Sequence, residues 1–387
     1  MLRGVARMAG IDAVRALLED HHVALASDLT HFREQQLAGL RSAETDEQAR
    51  GEARTLLRVM GDAGLYAAIG SRDLRALCLT REQVAMASPL ADAVLALQAL
   101  GGTPLVLAGT DVQKKRWLQG VVDGRVMTAF AMTEPEAGSD VAAMQTTARR
   151  DNEDWILDGE KHLISNAGIA DLYLVFAVTK PGAGSRGISL FLIPASTGGL
   201  VFERAQVMAA PHPLGRIRLK ECRVPSDALL GDLDGGFKLG MMTLDHVRAS
   251  VGAAACGMAA RALVETLEHA STRKQFGEPL ATFQLVREKI GRMATDLEAA
   301  RLLVYRAAWQ KDTGADRITL EASMAKSFAT EVAQHIVDEA VQIAGGRGVL
   351  VGHPIERLYR AVRALRIYEG ATEIQRLIIA GELLKDA

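Results

Sequence analysis

Cysteine is scarce in this chain of 387 residues: there are three, Cys78, Cys222 and Cys256, far apart and without a CxxC pair. That excludes a local zinc knuckle and fits a reducing compartment, with a cytoplasmic place of bacterial type expected ahead of a mitochondrial matrix. Net charge is nearly absent as well, at −2. This argues against the electrostatic footprint of a nucleic-acid-binding protein. No run approaches about 18 unbroken apolar residues, so no membrane span is expected. Lysine is short too, with eleven Lys against 34 Arg and the first at Lys114. The Lys-free first third reads as compositional bias.

What is present is ordinary for a globular protein, at 49% apolar and 24% charged residues. The length suggests two or three domains and easily supports a core that needs no disulfide or metal staple. Met1–Gly10 carries Arg3 and Arg7 and no acid. It is shorter and poorer in Ser than a transit peptide, and reads as the loose start of a first helix.

Periodicity divides the chain into three parts: an N-terminal α-helical domain over 1–127, a middle β domain over 128–237 and a C-terminal four-helix-bundle domain over 238–387. In the first, Val14, Leu17, Leu18, Leu25 and Leu29 repeat near 3.6, predicting a helix over Ala13–Leu29. Glu52–Met60 gives a short helix ended by Gly61. Pro89 follows Ser88 at the start of a further helix, expected to stop at Gly101-Gly102. Thr110 and Gln113 form a capping-box pattern. In the second part, Trp155–Leu157 leads into Asp158-Gly159, a turn signal. Leu172–Val178 and Ile188–Ile193 are apolar runs of strand length, and Ile217 and Leu219 alternate with Arg218 and Lys220. A small sandwich or barrel is expected. In the third, Val286, Ile290, Met293, Leu297, Ala300, Val304 and Ala307 form the stripe of a bundle helix. Leu320, Met324, Phe328, Val332, Ile336 and Ala340 predict a second, and Lys238–Ser271 and Ala371–Leu384 two more.

Several chemical patterns carry little on their own. Gly345-Gly346-Arg347-Gly348 follows a helix instead of a strand, so it is a helix end and not a phosphate loop. His21 and His22 are adjacent and point apart on a helix, which speaks against a metal pair. Ser139 lies outside any nucleophile-elbow pattern. Two features are sharper. Thr133–Asp140 is a polar turn whose N–H groups and hydroxyls suit an anion or a ring carbonyl. Ile367-Tyr368-Glu369-Gly370 places one acid in an apolar junction between helices. Burial there would raise its pKa and suit it to take a weakly acidic C–H proton; an ordinary helix-end Glu before a C-cap Gly has the same local pattern.

Together these segments resemble the acyl-CoA dehydrogenase family. The motifs are Ala131–Asp140, Asp158–Lys161 with Ile164-Ser165-Asn166, Arg273–Gly277, Gln342–Gly346 and Ile367–Gly370, in that order. The resemblance covers about Leu100 to Leu384. It implies an α domain, a β domain and a four-helix bundle, bound FAD, and dehydrogenation of an acyl-CoA thioester to its trans-2-enoyl form. It also implies a homotetramer or dimer, and an electron-transfer flavoprotein as acceptor.

By resemblance, Met132, Thr133, Ser139 and Ser165 lie along the flavin ring. Arg273, Gln275 and Phe276 reach the FAD of an adjacent subunit, and Gln284, Gln342, Gly345 and Gly346 are further FAD contacts. Ser139, Asp245 and Arg248 bind substrate, the last two at the adenosine end of CoA, while Tyr368 and Gly370 border the thioester. Glu369 matches the catalytic base. Leu163 stands where most members carry Trp. Ala371 replaces a Thr beside the cofactor, for which Thr372 is the substitute. Ala91, Ala93, Ala96 and Ala99 suggest room for a bulky acyl group. An acyl-CoA oxidase, or another modified flavoenzyme such as a desulfinase, is the alternative on the same scaffold.

Overall fold

The structure is a computed structural model describing residues 8–40 and 42–385. Arg3 and Arg7, on which the reading of the N-terminus rests, lie outside them. Two compact units emerge: Met1–Ser42 with Asp73–Asp92 and Asp245–Ala387, and Ala43–Arg72 with Ala93–Leu244.

In the first unit a 3₁₀ turn, Asp12–Leu17, precedes a helix, Asp20–Phe32. The helix expected over Ala13–Leu29 is thus interrupted at Leu18. Glu19 caps the second piece, its side chain and that of His22 forming a capping box. Helix Leu74–Ala87 is buried along nearly its whole length and is capped by Asp73, which accepts from the Ala76 N–H at 2.9 Å. The bundle helices are Gly236–Thr272, which enters this unit at Asp245, then Gln284–Asp312, Thr319–Ala344 and Thr372–Leu383. Met293, Leu297, Ala300, Val304 and Ala307 are buried, as the first stripe predicts.

The second stripe packs only at its C-terminal end, where Ile336 and Ala340 are buried, while Leu320, Met324 and Val332 are half-buried. Phe328 is 39% exposed, whereas Ala322, Ala325, Ala329, Ala333, Ile336 and Ala340 are buried. Small residues let neighbouring helices approach closely, so the alanine side packs, a choice that hydrophobicity alone does not make. One further helix, Pro354–Leu365, starts with Pro at its first turn and buries Ile355, Leu358, Val362 and Leu365.

The second unit contains helix Asp46–Asp62 and an eight-stranded sheet. The strands are β1 (Thr128–Ala131), β2 (Thr147–Asp151), β3 (Asp154–Ser165), β4 (Leu172–Val178), β5 (Ile188–Pro194), β6 (Leu200–Ala205), β7 (Leu214–Pro225) and β8 (Leu229–Leu230). Their order is β6-β7-β3-β2-β4-β5-β8, with β1 parallel to β4. Strand β4 is buried on both faces, which explains its unbroken apolar run. Trp155, Tyr173 and Phe191 join one core cluster, and Leu174, Phe176 and Leu190 another.

Asp158-Gly159 is not a turn. Strand β3 runs on through it, and its pairing with β7 shifts register between Leu157 and Gly159 and again between Lys161 and Ile164. These are bulges, which bend a strand and re-aim side chains.

Helix Pro89–Ala108 also passes its expected stop at Gly101-Gly102 and continues over Pro104. Those glycines serve packing. A Cβ on Gly101 would lie 2.3 Å from Thr128 Oγ1, and one on Gly102 2.5 Å from Ile69 Cγ2. The capping box at Thr110 forms as expected, with Gln113 N–H donating to Thr110 Oγ1 at 3.2 Å.

Two helices, Pro89–Ala108 and Gly236–Thr272, are long and apolar enough to cross a membrane. Their apolar windows are 83% and 94% buried inside the protein, as core helices are.

Candidate active site

Glu369 sits in the turn between helices Pro354–Leu365 and Thr372–Leu383. Its φ is +53°, a left-handed conformation that costs a non-glycine residue energy, and Gly370 follows at φ +90°. Three neighbours hold this turn. Lys326 Nζ donates to the Gly370 carbonyl at 2.7 Å. Gln375 Nε2 donates to the carbonyls of Glu369 and Gly370 at 3.1 and 3.0 Å. The Thr372 N–H donates to the Arg366 carbonyl at 3.1 Å.

The side chain is less well served. Glu369 Oε2 is buried and has no hydrogen-bond partner among the described residues. Desolvation pushes the Glu369 pKa above the usual carboxylate range. The positive charges of Arg81, Lys326 and Arg248 oppose that rise, and Asp92 reinforces it. Arg81 is fixed by a two-pronged ion pair to Asp92, at 2.8 and 2.9 Å, and donates to Ser250 Oγ at 3.0 Å. Tyr368 is 38% exposed. Its hydroxyl is nevertheless sunk beside Arg81, and desolvation raises its pKa.

Arg248, expected at CoA, is only 4% exposed. It donates to Asp245 Oδ1 at 2.6 Å, and Asp245 Oδ2 accepts from Thr319 Oγ1 at 2.7 Å. Arg248 Nε and the Thr372 hydroxyl are buried without a partner among the described residues. Lys326 is fully buried, and desolvation pushes its pKa down to about 8. Sequence reasoning missed both Lys326 and Arg81. A lone Lys on an apolar helix face was the available signal for the first.

Other expected residues of this unit lie at the surface. Arg273 precedes a small hairpin in which Lys274–Gln275 pairs with Glu278–Pro279. Phe276 stands at its tip, 96% exposed at φ +51°. Gln284, Gln342, Gly345 and Gly346 are exposed. Partial burial, and then the charges of Arg347 and Arg273, lower the His269 pKa, so two arginines bear on one spot there.

In the other unit Met132 is 6% exposed, Thr133 is half-buried and Ser139 is exposed. The Thr133 carbonyl accepts from the His162 N–H at 2.9 Å. Beneath this loop Lys161 is fully buried. It donates to the Met132 carbonyl at 3.2 Å and to Glu134 Oε1 at 2.8 Å. Burial pushes Lys161 down to about 8 against the pull of Glu134, while Glu134 is held below the usual carboxylate range. The second bulge of β3 puts Leu163 at φ +55° and leaves it 50% exposed, its N–H donating to Gln206 Oε1 at 2.9 Å. Ser165 Oγ lies 2.7 Å from His212 Nε2. Burial and the charge of Arg50 push His212 down to about 4, so it is neutral at pH 7. An outward apolar side chain beside half-buried hydroxyl donors is what a flat, polar-edged ring such as a flavin requires.

His21 and His22 do meet a third ligand type, since each places Nε2 within 3.2 Å of Asp73. His22 Nδ1 accepts from the Glu19 N–H at 3.2 Å, so Nε2 carries the proton that it donates to Asp73. A metal at Nε2 would have to displace that proton, and the cluster reads as a helix cap.

Fold and site place the chain in one class. It matches the acyl-CoA dehydrogenase N-terminal domain over 19–125, the middle domain over 129–222 and the C-terminal domain over 234–384. The chain belongs to the acyl-CoA dehydrogenase family, a family of flavin-dependent oxidoreductases. It is 42% identical over 316 residues to the 3-(aryl)acrylate reductase of Clostridium sporogenes, covering 81% of this chain and 84% of the relative. It is 36% identical over 378 residues to the mitochondrial short-chain specific acyl-CoA dehydrogenase of Bos taurus, covering 95% of this chain and 91% of that one.

Among solved structures, butyryl-CoA dehydrogenase from Megasphaera elsdenii superposes with a TM-score of 0.88 at 33% identity, covering 95% of this chain and 99% of that one. A structure described as the electron transferring flavoprotein of Acidaminococcus fermentans has a chain with TM-score 0.89 at 34% identity, covering 95% and 99%. A glutaryl-CoA dehydrogenase from Mycobacterium smegmatis, in complex with FADH2, gives 0.87 at 26% identity, covering 97% of each.

Proposed function

We propose that the chain oxidises an acyl-CoA thioester to the trans-2-enoyl-CoA, with Glu369 as the base that takes the α-proton. The observation that carries this reading is the buried, unpartnered Oε2 of Glu369. A carboxylate stripped of water and of competing donors is basic enough to act on a weakly acidic C–H. The left-handed turn makes the Glu369 N–H available to the thioester carbonyl, where a donor stabilises enolate character. Tyr368 and Gly370 border the thioester. Asp245 and Arg248 serve the CoA end, and Ser139 contributes to substrate binding.

FAD, when bound, supplies the acceptor for the β-hydrogen as hydride. Met132, Thr133, Ser139 and Ser165 hold its ring, with Thr372 as a further hydroxyl. Arg273, Gln275 and Phe276 hold the FAD of a neighbouring subunit in a homotetramer, and Gln284, Gln342, Gly345 and Gly346 are further FAD contacts. The positive charge around His269 suits a pyrophosphate. The electron acceptor is an electron-transfer flavoprotein, and the protein works in a bacterial cytoplasm.

The likeness to a 3-(aryl)acrylate reductase supports a second reading, in which the same site reduces the double bond of an aromatic acyl group. The experiment is anaerobic mixing of the purified yellow protein with a panel of acyl-CoAs that includes 3-arylpropanoyl thioesters. Flavin bleaching should appear with the native protein and vanish in Glu369→Gln, with the colour retained. Bleaching of that variant at the native rate would remove Glu369 from the role. Rapid peroxide formation in air would instead identify an oxidase.

A further inference from the structure

Lys326 lies midway along helix Thr319–Ala344 and is completely buried. A buried lysine normally has a carboxylate partner. Lys326 has none at salt-bridge distance among the described residues; its hydrogen bond goes to the Gly370 carbonyl, a neutral acceptor, at 2.7 Å. Next to that carbonyl is Glu369, whose Oε2 has no hydrogen-bond partner among the described residues. Two incompletely satisfied charges therefore share one turn.

The charged and titratable groups facing Glu369 come from every element around it. Arg81 is on helix Leu74–Ala87, Asp92 on Pro89–Ala108, Arg248 on Gly236–Thr272 and Lys326 on Thr319–Ala344. Tyr368 lies beside Glu369 in the turn itself. Glu331 and Glu373 also face Lys326. Arg81 has the largest effect of the cations, but it is bonded through both prongs to Asp92, which acts in the opposite sense. Arg248 is bonded to Asp245. Lys326 is thus the cation of the group whose charge no bonded carboxylate offsets.

We propose that Lys326 is the positioning residue of this site: its ammonium, anchored on the Gly370 carbonyl, fixes the left-handed Glu369–Gly370 turn and holds the adjoining carboxyl in the ionised form that accepts a proton. The inference rests on Glu369 being the base. Gln375 braces the same carbonyls without charge, so geometry and charge can be separated by substitution.

The test compares Lys326→Met, Lys326→Arg and Gln375→Leu in the flavin-loaded protein, with melting temperature and flavin content checked first. Lys326→Gln stands in if the Met variant does not fold. Rates of anaerobic flavin bleaching are measured against pH. Losing the charge should move the acid limb up by about one pH unit, hence about tenfold slower bleaching below it. Lys326→Arg should restore the limb, and Gln375→Leu should slow bleaching without moving it. An independent readout is the carboxylic C=O stretch of Glu369, assigned by its loss in Glu369→Gln and titrated by infrared difference spectroscopy without substrate. A limb and a band that stay at the native pH in the Lys326→Met or Lys326→Gln variant overturn the proposal. Bleaching of Glu369→Gln at the native rate would defeat the base assignment itself, whatever Lys326 does.

Discussion

Arg81 and Asp92 face each other through two hydrogen bonds, 2.8 and 2.9 Å long, with side chains 1% and 2% exposed. Removing one partner leaves the other charge buried and alone, which typically costs about 3–5 kcal/mol, whereas replacing both with apolar groups can be near neutral. Asp92→Asn should therefore destabilise strongly, and Arg81→Met with Asp92→Leu much less. The single change has a second signature. Asp92 raises the Glu369 pKa and Arg81 lowers it, so Asp92→Asn should move the acid limb of activity to lower pH. Denaturant melts and the pH profile of flavin bleaching check the two halves separately.

Burial of Glu369 also links stability to pH. Its pKa is raised in the folded state. Between the unfolded and folded values the folded chain therefore binds more protons, and stability falls as pH rises through that window. Below the unfolded value near 4.5 the penalty is absent. Glu369→Gln removes the penalty along with the charge. Its melting temperature should match the native protein near pH 4, exceed it as pH rises through that window, and keep a constant lead above it. Thermal melts across that range decide it; a difference independent of pH would contradict a raised pKa.

Lys161 and Glu134 form the comparable buried pair of the sheet unit, 2.8 Å apart. Glu134 also accepts from the N–H groups of Gln145 and Thr146, at 2.5 and 3.0 Å. Lys161→Met should cost about 3–5 kcal/mol by stranding the carboxylate. Lys161→Met with Glu134→Gln should recover part of that loss, giving a coupling of about 0.5–3 kcal/mol in a double-mutant cycle. Since Lys161 also holds the Met132 carbonyl, its loss should weaken flavin retention on dialysis.

Much of this molecule could be read from residue patterns because one local signal determined each element. The apolar run of β4 and the capping box at Thr110 are of that kind. Elements went astray where a distant contact decides. Gly101-Gly102 reads as a helix stop, yet it exists because Thr128 and Ile69 crowd the passing helix. Asp158-Gly159 reads as a turn, yet β7 pairs on both sides of it. The site shows the same division. Glu369 was legible as an acid in an apolar junction. Its companions Lys326 and Arg81 were not, because nothing local says which chain segment a buried cation will meet.

Leu163 tests the same idea on the flavin side. Its position is set by a bulge, at φ +55°, and the side chain is 50% exposed. Exposure leaves space for a larger side chain, so Leu163→Trp should fold without overpacking the core. If the exposed face is where the flavin ring rests, a flat aromatic there should add about 0.5–1.5 kcal/mol by stacking, or about 2- to 10-fold tighter flavin binding. Equilibrium dialysis of FAD gives the affinity, and a redox titration shows whether the oxidised and reduced forms gain equally. Unequal gain would shift the flavin potential. Unchanged affinity and potential would mean that Leu163 faces solvent and that the ring lies elsewhere along Met132 and Thr133.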